Sequence, residues 1–148
     1  KSVEKVNEKQ KTVLVDKFVK KYPQPKGLTV ALWGLAFKPN TDDIREAPSL
    51  VIIDTLLSLG CVVKVFDPIA THEAKRILGN KVIFAEDIYE AANDAIALLL
   101  VTEWKEFRMP NWEILKKVMK FPVIFDGRNI YDKQELIELG FEYEGIGV

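Results

Sequence analysis

Two stretches of this 148-residue chain carry residue types suited to gripping an anion. The first is Gly34-Leu35-Ala36-Phe37-Lys38-Pro39-Asn40-Thr41-Asp42-Asp43-Ile44-Arg45-Glu46-Ala47-Pro48-Ser49. Gly34 allows close backbone approach, Phe37 suits contact with a flat or apolar group, and Lys38 and Arg45 bring two cations ahead of a helix start. Cations beside the free N–H groups of a helix N-terminus are the parts of a phosphate site. The second is Asp126-Gly127-Arg128-Asn129, where a glycine turn presents an arginine whose planar guanidinium can fork onto phosphate or sugar oxygens. A third, Thr102-Glu103-Trp104, offers a carboxylate and an indole to line the mouth of a cleft. Taken singly, a loop lysine or arginine is more often a solvated charge than a ligand-binding one. Whether the fold gathers these loops is therefore the deciding question.

The elements that would position them alternate along the chain. Short apolar runs at Leu28–Trp33, Val62–Phe66, Val82–Phe84, Ala95–Val101 and Val123–Phe125 read as buried strands. Helical patterns fall between and after them, at about 48–59, 71–78, 87–92, 112–119 and 133–139. Such alternation predicts an α/β, Rossmann-like three-layer sandwich, a mostly parallel sheet with helices on both faces. Right-handed crossovers give the strand order 3-2-1-4-5, with Phe141–Ile146 as a candidate sixth strand at an edge. In such sheets ligands bind beyond the carboxyl ends of the strands, where the order reverses, here between the first and fourth strands. Strands one and five then lie two spacings apart, roughly 10 Å at about 4.8 Å each, the scale of a diphosphate with part of a sugar. Lys38 and Arg128 are thus placed to grip one ligand.

Before the first strand, Val3, Val6, Val13, Leu14, Phe18 and Val19 recur at helical intervals among charged residues, predicting an amphipathic helix up to about Tyr22. Pro23-Gln24-Pro25-Lys26-Gly27 then breaks it. Lys+Arg at 21 against Asp+Glu at 22 leaves a net charge of -1, so the surface as a whole exerts no pull on nucleic acid. No apolar run approaches the roughly 20 residues of a membrane span, and the charged opening Lys1-Ser2-Val3-Glu4-Lys5 has no signal-peptide core, which points to the cytoplasm.

Several other residues invite a functional reading and are better explained otherwise. The first loop lacks G-x-G-x-x-G, so the ordinary dinucleotide fingerprint fails. Without that fingerprint, Asp67, where a dinucleotide fold keeps its ribose-binding acid, reads as a turn residue before Pro68. Asp42, Asp43 and Glu46 precede a helix that starts at Pro48 and complement its dipole rather than hold a metal, since no histidine accompanies them. His72 reads as surface helix. Cys61, the single cysteine, enters a strand at the opposite edge of the sheet with no cationic neighbour in sequence, which argues against a nucleophile.

The Gly34–Ser49 stretch resembles the signature loop of the UDP-glucose/GDP-mannose dehydrogenase family. Phe66-Asp67-Pro68, Thr102-Glu103-Trp104 and Phe125-Asp126-Gly127-Arg128 follow in that family's order and spacing, so the resemblance covers nearly the whole chain. The opening Val6-Asn7-Glu8-Lys9-Gln10-Lys11 is similar to the end of the family's central helix, which joins two domains and forms much of a homodimer core. The resemblance implies residues 1–22 as the end of that helix, 23–27 as a linker and 28–148 as a UDP-sugar-binding domain. It further implies that Phe37, Lys38 and Arg128 contact the nucleotide sugar and that Arg45 reaches an NAD bound mainly by a separate N-terminal domain. Family members oxidise the sugar C6 alcohol to a carboxylate with two NAD+, through a cysteine thiohemiacetal and thioester. No catalytic residue is expected in this chain, which should be inactive alone; its start at Lys1, without methionine, fits a fragment. UDP-glucose is the expected substrate, with UDP-N-acetylhexosamine or GDP-mannose as alternatives, and a stand-alone nucleotide-binding module as a reading from another class.

Overall fold

The computed structural model describes residues 13–36, 42–44 and 47–146. Six strands form one sheet: β1 (Thr29–Trp33), β2 (Val62–Phe66), β3 (Ile83–Phe84), β4 (Ala97–Leu100), β5 (Val123–Asp126) and β6 (Glu142–Gly145). Their order is β3-β2-β1-β4-β5-β6 and every pairing is parallel. The expected order holds, and the candidate sixth strand joins β5 at the edge.

Residues 13–21 form α1, followed by α2 (Pro48–Ser58), α3 (Thr71–Leu78), α4 (Ile88–Ala92), α5 (Trp112–Val118) and α6 (Lys133–Glu138). Because successive strand side chains point to opposite faces, the central strands β1, β4 and β5 feed two cores. Val30, Leu32, Ala97, Leu99, Val123 and Phe125 face a cluster completed by Leu14 and Phe18 of α1, Ile52, Ile53 and Leu56 of α2, and Ala74 and Leu78 of α3. Ala31, Trp33, Leu98, Leu100 and Ile124 face the other, completed by Ile88 and Ala91 of α4, Leu115 of α5 and Leu136 of α6. These three strands are buried in both registers because both of their faces are covered.

The boundaries differ from the sequence reading by one or two residues, for local reasons. Asp87 precedes α4 and its carboxylate accepts from the N–H groups of Tyr89 and Glu90, so it caps the helix from outside rather than opening it. Ala95 and Ile96 stand before β4 because the Ala95 N–H still bonds to the Ala92 carbonyl.

α1 is packed onto the sheet. Phe18 is fully buried and meets Phe125 edge to face at 6.3 Å between centroids, and the Tyr22 hydroxyl donates to the Ile96 carbonyl at 2.9 Å. Lys21 pairs with Glu142 at 2.9 Å on the solvent side. The turn that follows is stitched to the α2–β2 turn, the Gly27 N–H reaching the Gly60 carbonyl at 2.8 Å.

Candidate functional site

The carboxyl edge of the sheet carries four segments, and hydrogen bonds from buried side chains tie three of them together. β1 runs out through Gly34, whose φ of 98° and closeness to β4 both require glycine. An added Cβ would lie 2.6 Å from the backbone nitrogen of Thr102. The close backbone approach expected of Gly34 is therefore made to the neighbouring strand.

Leu35 and Ala36 come next, and all four of their backbone polar groups are held by side chains. Both N–H groups donate to Asp67 Oδ2, at 2.8 and 3.1 Å. The Leu35 carbonyl accepts from the Ser49 hydroxyl at 2.6 Å, and the Ala36 carbonyl from the Thr102 hydroxyl, also at 2.6 Å. Donors and acceptors from the ends of β2 and β4 and from the start of α2 thus fix where the first loop leaves the sheet. Its return is fixed as well: Ile44 and Ala47 are buried, and the Ala47 N–H bonds to the Ile44 carbonyl at 3.0 Å. Phe37, Lys38 and Arg45 lie outside the described residues; what is described is the pair of anchors that bracket them.

Asp67 was read from sequence as a turn residue, and it is more than that. At 2% exposure its two oxygens accept five N–H donors: Leu35, Ala36 and the Trp104 indole on Oδ2, Ile69 and Ala70 on Oδ1. A carboxylate has about four lone-pair sites. None remains for a ribose, so the position that serves NAD in a dinucleotide fold is spent here on the chain's own loops.

Trp104 is buried with its indole turned to Asp67 at 3.2 Å, so it supports the edge from beneath and does not line a cleft mouth as expected. Glu103 beside it stays partly exposed and pairs with Arg128 at 3.5 Å and with Arg108 at 2.5 Å. Arg108 escaped the sequence reading; its spacing of five residues from Glu103 matches no simple helical rule.

Arg128 stands on a turn built by a second buried carboxylate. Asp126, fully buried at the end of β5, accepts from the Arg128 N–H at 2.9 Å, the Tyr131 N–H at 3.0 Å and the Tyr143 hydroxyl at 2.8 Å. Burial first, and then the Asp126 charge and hydrogen bond, push the Tyr143 phenol well above its ordinary value; burial and Asp126 do the same to Tyr131, whose hydroxyl donates to the Phe107 carbonyl. Gly127 passes so close to β4 that a Cβ would meet the Leu100 carbonyl oxygen at 2.7 Å. Asn129, at φ 56°, exchanges two hydrogen bonds of 2.8 Å with the Ile146 backbone. The backbone under Arg128 is thus rigid while its side chain is 29% exposed.

With β1, β4 and β5 adjacent in that order, Arg128 and the anchors of the first loop share one edge, two strand spacings apart. The arrangement can bind an anion with a preset arginine. Cys61 lies far from it, at the amino end of β2, buried, with its thiol pushed up by desolvation. His72 is an exposed residue of α3, as expected. No described helix is long and apolar enough to cross a membrane.

Comparison with known proteins agrees with this geometry. The UDP binding domain of the UDP-glucose/GDP-mannose dehydrogenase family matches residues 31–133, a span from inside β1 to the start of α6 that includes Gly34–Ala36, Asp67, Thr102–Arg108 and Asp126–Asn129. UDP-glucose 6-dehydrogenase TuaD of Bacillus subtilis is 44% identical over 146 residues, which is 99% of this chain and 32% of that protein. UDP-glucose 6-dehydrogenase of Pseudomonas aeruginosa is 42% identical over 152 residues, again 99% of this chain and 34% of the relative. Among solved structures, a UDP-glucose dehydrogenase from the hyperthermophilic archaeon Pyrobaculum islandicum superposes with a TM-score of 0.81 at 29% identity, covering 97% of this chain and 31% of its own. The chain therefore spans about a third of the length of these relatives. By its sequence, its sheet order and the segments at its carboxyl edge, the chain belongs to the UDP-glucose/GDP-mannose dehydrogenase family and corresponds to that family's UDP-binding domain.

Proposed function

We propose that this chain is the nucleotide-sugar-binding domain of an NAD-dependent UDP-glucose 6-dehydrogenase, which converts UDP-glucose to UDP-glucuronate. The observation that carries this reading is identity of 42–44% across 99% of the chain to proteins that bear that name. In it, Phe37, Lys38 and Arg128 contact the UDP-sugar. Support for Arg128 comes from its rigid turn and accessible guanidinium, and for the other two from the fixed ends of the loop that contains them.

NAD would supply the hydride acceptor, and Arg45 would reach it from this domain. The saturated Asp67 agrees with a cofactor held mainly by another domain, because its oxygens are spent on the chain's own N–H groups. The catalytic cysteine would likewise belong elsewhere in the longer protein, given that Cys61 is buried at the wrong edge. Residues 1–22 would end a central helix shared by a homodimer, with 23–27 as the connection to the domain of 28–148. The enzyme would work in the cytoplasm.

The test is an assay of the full-length protein with each nucleotide sugar. The reading expects two NADH per UDP-glucose consumed and no turnover by the 148-residue chain alone. A preference for GDP-mannose or a UDP-N-acetylhexosamine would refute the assignment of the sugar, and turnover by the isolated chain would refute the division of labour.

A further inference from the structure

Glu103 is a charged residue of the carboxyl edge for which nucleotide binding alone supplies no role. It follows the buried Thr102 at the end of β4, where the strand order reverses, and it divides its carboxylate between two cations. Oε1 lies 3.5 Å from Nη2 of Arg128 and Oε2 lies 2.5 Å from Nη2 of Arg108. The arginines come from separate segments, Arg108 just after the one-turn helix Lys105–Phe107 and Arg128 from the turn after β5. Two guanidiniums against one carboxylate leave the trio with one net positive charge. Glu103 and Arg128 are each 29% exposed, so an arriving anion meets both.

An anion that pairs with Arg128 must displace Glu103 or share the guanidinium with it, and in either case a fixed negative charge stays within a few ångströms of the ligand. That charge weighs most against the ligand with the most negative charge. Free UDP ends in a phosphate monoester, whose second ionisation falls at a pKa of about 6; in a UDP-sugar that oxygen is esterified and the extra charge is absent. We propose that Glu103 is a charge-selecting residue of the nucleotide site, an internal counter-ion to Arg128 that favours the sugar-capped diphosphate over free UDP. The proposal rests on the reading of Arg128 as a ligand-binding residue.

The effect is modest, since pairs between partly exposed groups are weakened by solvent and salt. Calorimetric titration of the chain with UDP and with UDP-glucose, at low and at high salt, measures the ratio of their dissociation constants. Glu103→Gln keeps an oxygen facing Arg128 and removes the charge; it should shift the ratio about threefold toward UDP at low salt, less at high salt. Arg108→Gln leaves Glu103 wholly to Arg128 and should shift the ratio the other way. An unchanged ratio in both variants, with Arg128→Ala weakening both ligands, would overturn the role of Glu103 while sparing the site. If Arg128→Ala left both affinities intact, or if the unsubstituted chain bound neither nucleotide, the site reading would fall and this inference with it. Thermal unfolding of each variant separates a changed charge from a damaged fold, because a shift in ratio at unchanged Tm is not a folding effect.

Discussion

Asp67 and Asp126 each follow a phenylalanine at the end of a strand, and each turns its carboxylate inward to collect N–H and O–H donors from neighbouring segments. A buried carboxylate is tolerable only when its lone pairs are filled, and here the filling fixes the loops on which the proposed anion binding would depend. Asp67→Asn replaces one acceptor oxygen with an NH2 group that faces N–H donors in either rotamer. Stability should fall by about 2–3 kcal/mol, read by urea unfolding, and UDP affinity should fall with it because Leu35 and Ala36 lose their anchor; a variant as stable as the parent would refute the network. Tyr143 gives a pH signature. Its folded pKa lies above the ordinary 10.0 because burial and Asp126 favour the protonated phenol. Its contribution is therefore complete below pH 10 and is lost as pH rises beyond it, while the unfolded chain releases its proton first. Urea midpoints measured from pH 8 to pH 11 should decline above pH 10, and less steeply in Tyr143→Phe; equal slopes would contradict the assignment. These two aspartates were visible in the sequence as Phe-Asp-Pro and Phe-Asp-Gly at strand ends. Their burial was not, because beside the local donors two to five residues on, they collect others 17 to 37 residues away in the chain.

At the scale of elements, α1 is the part of the fold whose role the sequence left most open. Its periodicity announced an apolar stripe but not what would cover it. Over residues 13–21 the stripe lies against the same core as α2 and α3, with Phe18 against Phe125 of β5, the strand that ends in Asp126 and the Arg128 turn. Phe18→Ala should destabilise the chain by about 3–5 kcal/mol, the usual cost of emptying a buried aromatic site. A loss below about 1 kcal/mol in a urea titration would mean that α1 is a detachable appendage. The strands themselves were legible because a parallel sheet covered on both faces needs near-continuous apolar runs, and their order followed from the alternation with helices. The marginal pieces, read as a strand at Val82–Phe84 and a candidate strand at Phe141–Ile146, are both strands but shorter than read, β3 of two residues and β6 of four, with Glu142 and Glu144 exposed while Tyr143 is buried.

For the whole molecule, the sheet works as a frame that brings residues distant in sequence to one edge, and the anchors of the first loop and the turn under Arg128 are held by the chain's own hydrogen bonds. Preorganisation of this kind lowers the cost of ordering on binding, so affinity should depend on a few charged contacts rather than on a large buried area. The strand order alone points to this edge as the place for a ligand, since the order reverses between β1 and β4. The internal wiring was not, because it runs through Thr102, Ser49 and the two aspartates, residue types that sequence patterns assign to turns and caps. The central claim is that a UDP-sugar binds at this edge through Arg128 and the loop that carries Lys38. Its most direct test is calorimetric titration of UDP-glucose into the chain, into Arg128→Ala and into Lys38→Ala. The account predicts one site per chain, weakened about tenfold or more by each substitution, the size of a lost hydrogen bond to a charged group, with unfolding midpoints unchanged. Undiminished binding in both variants would contradict it.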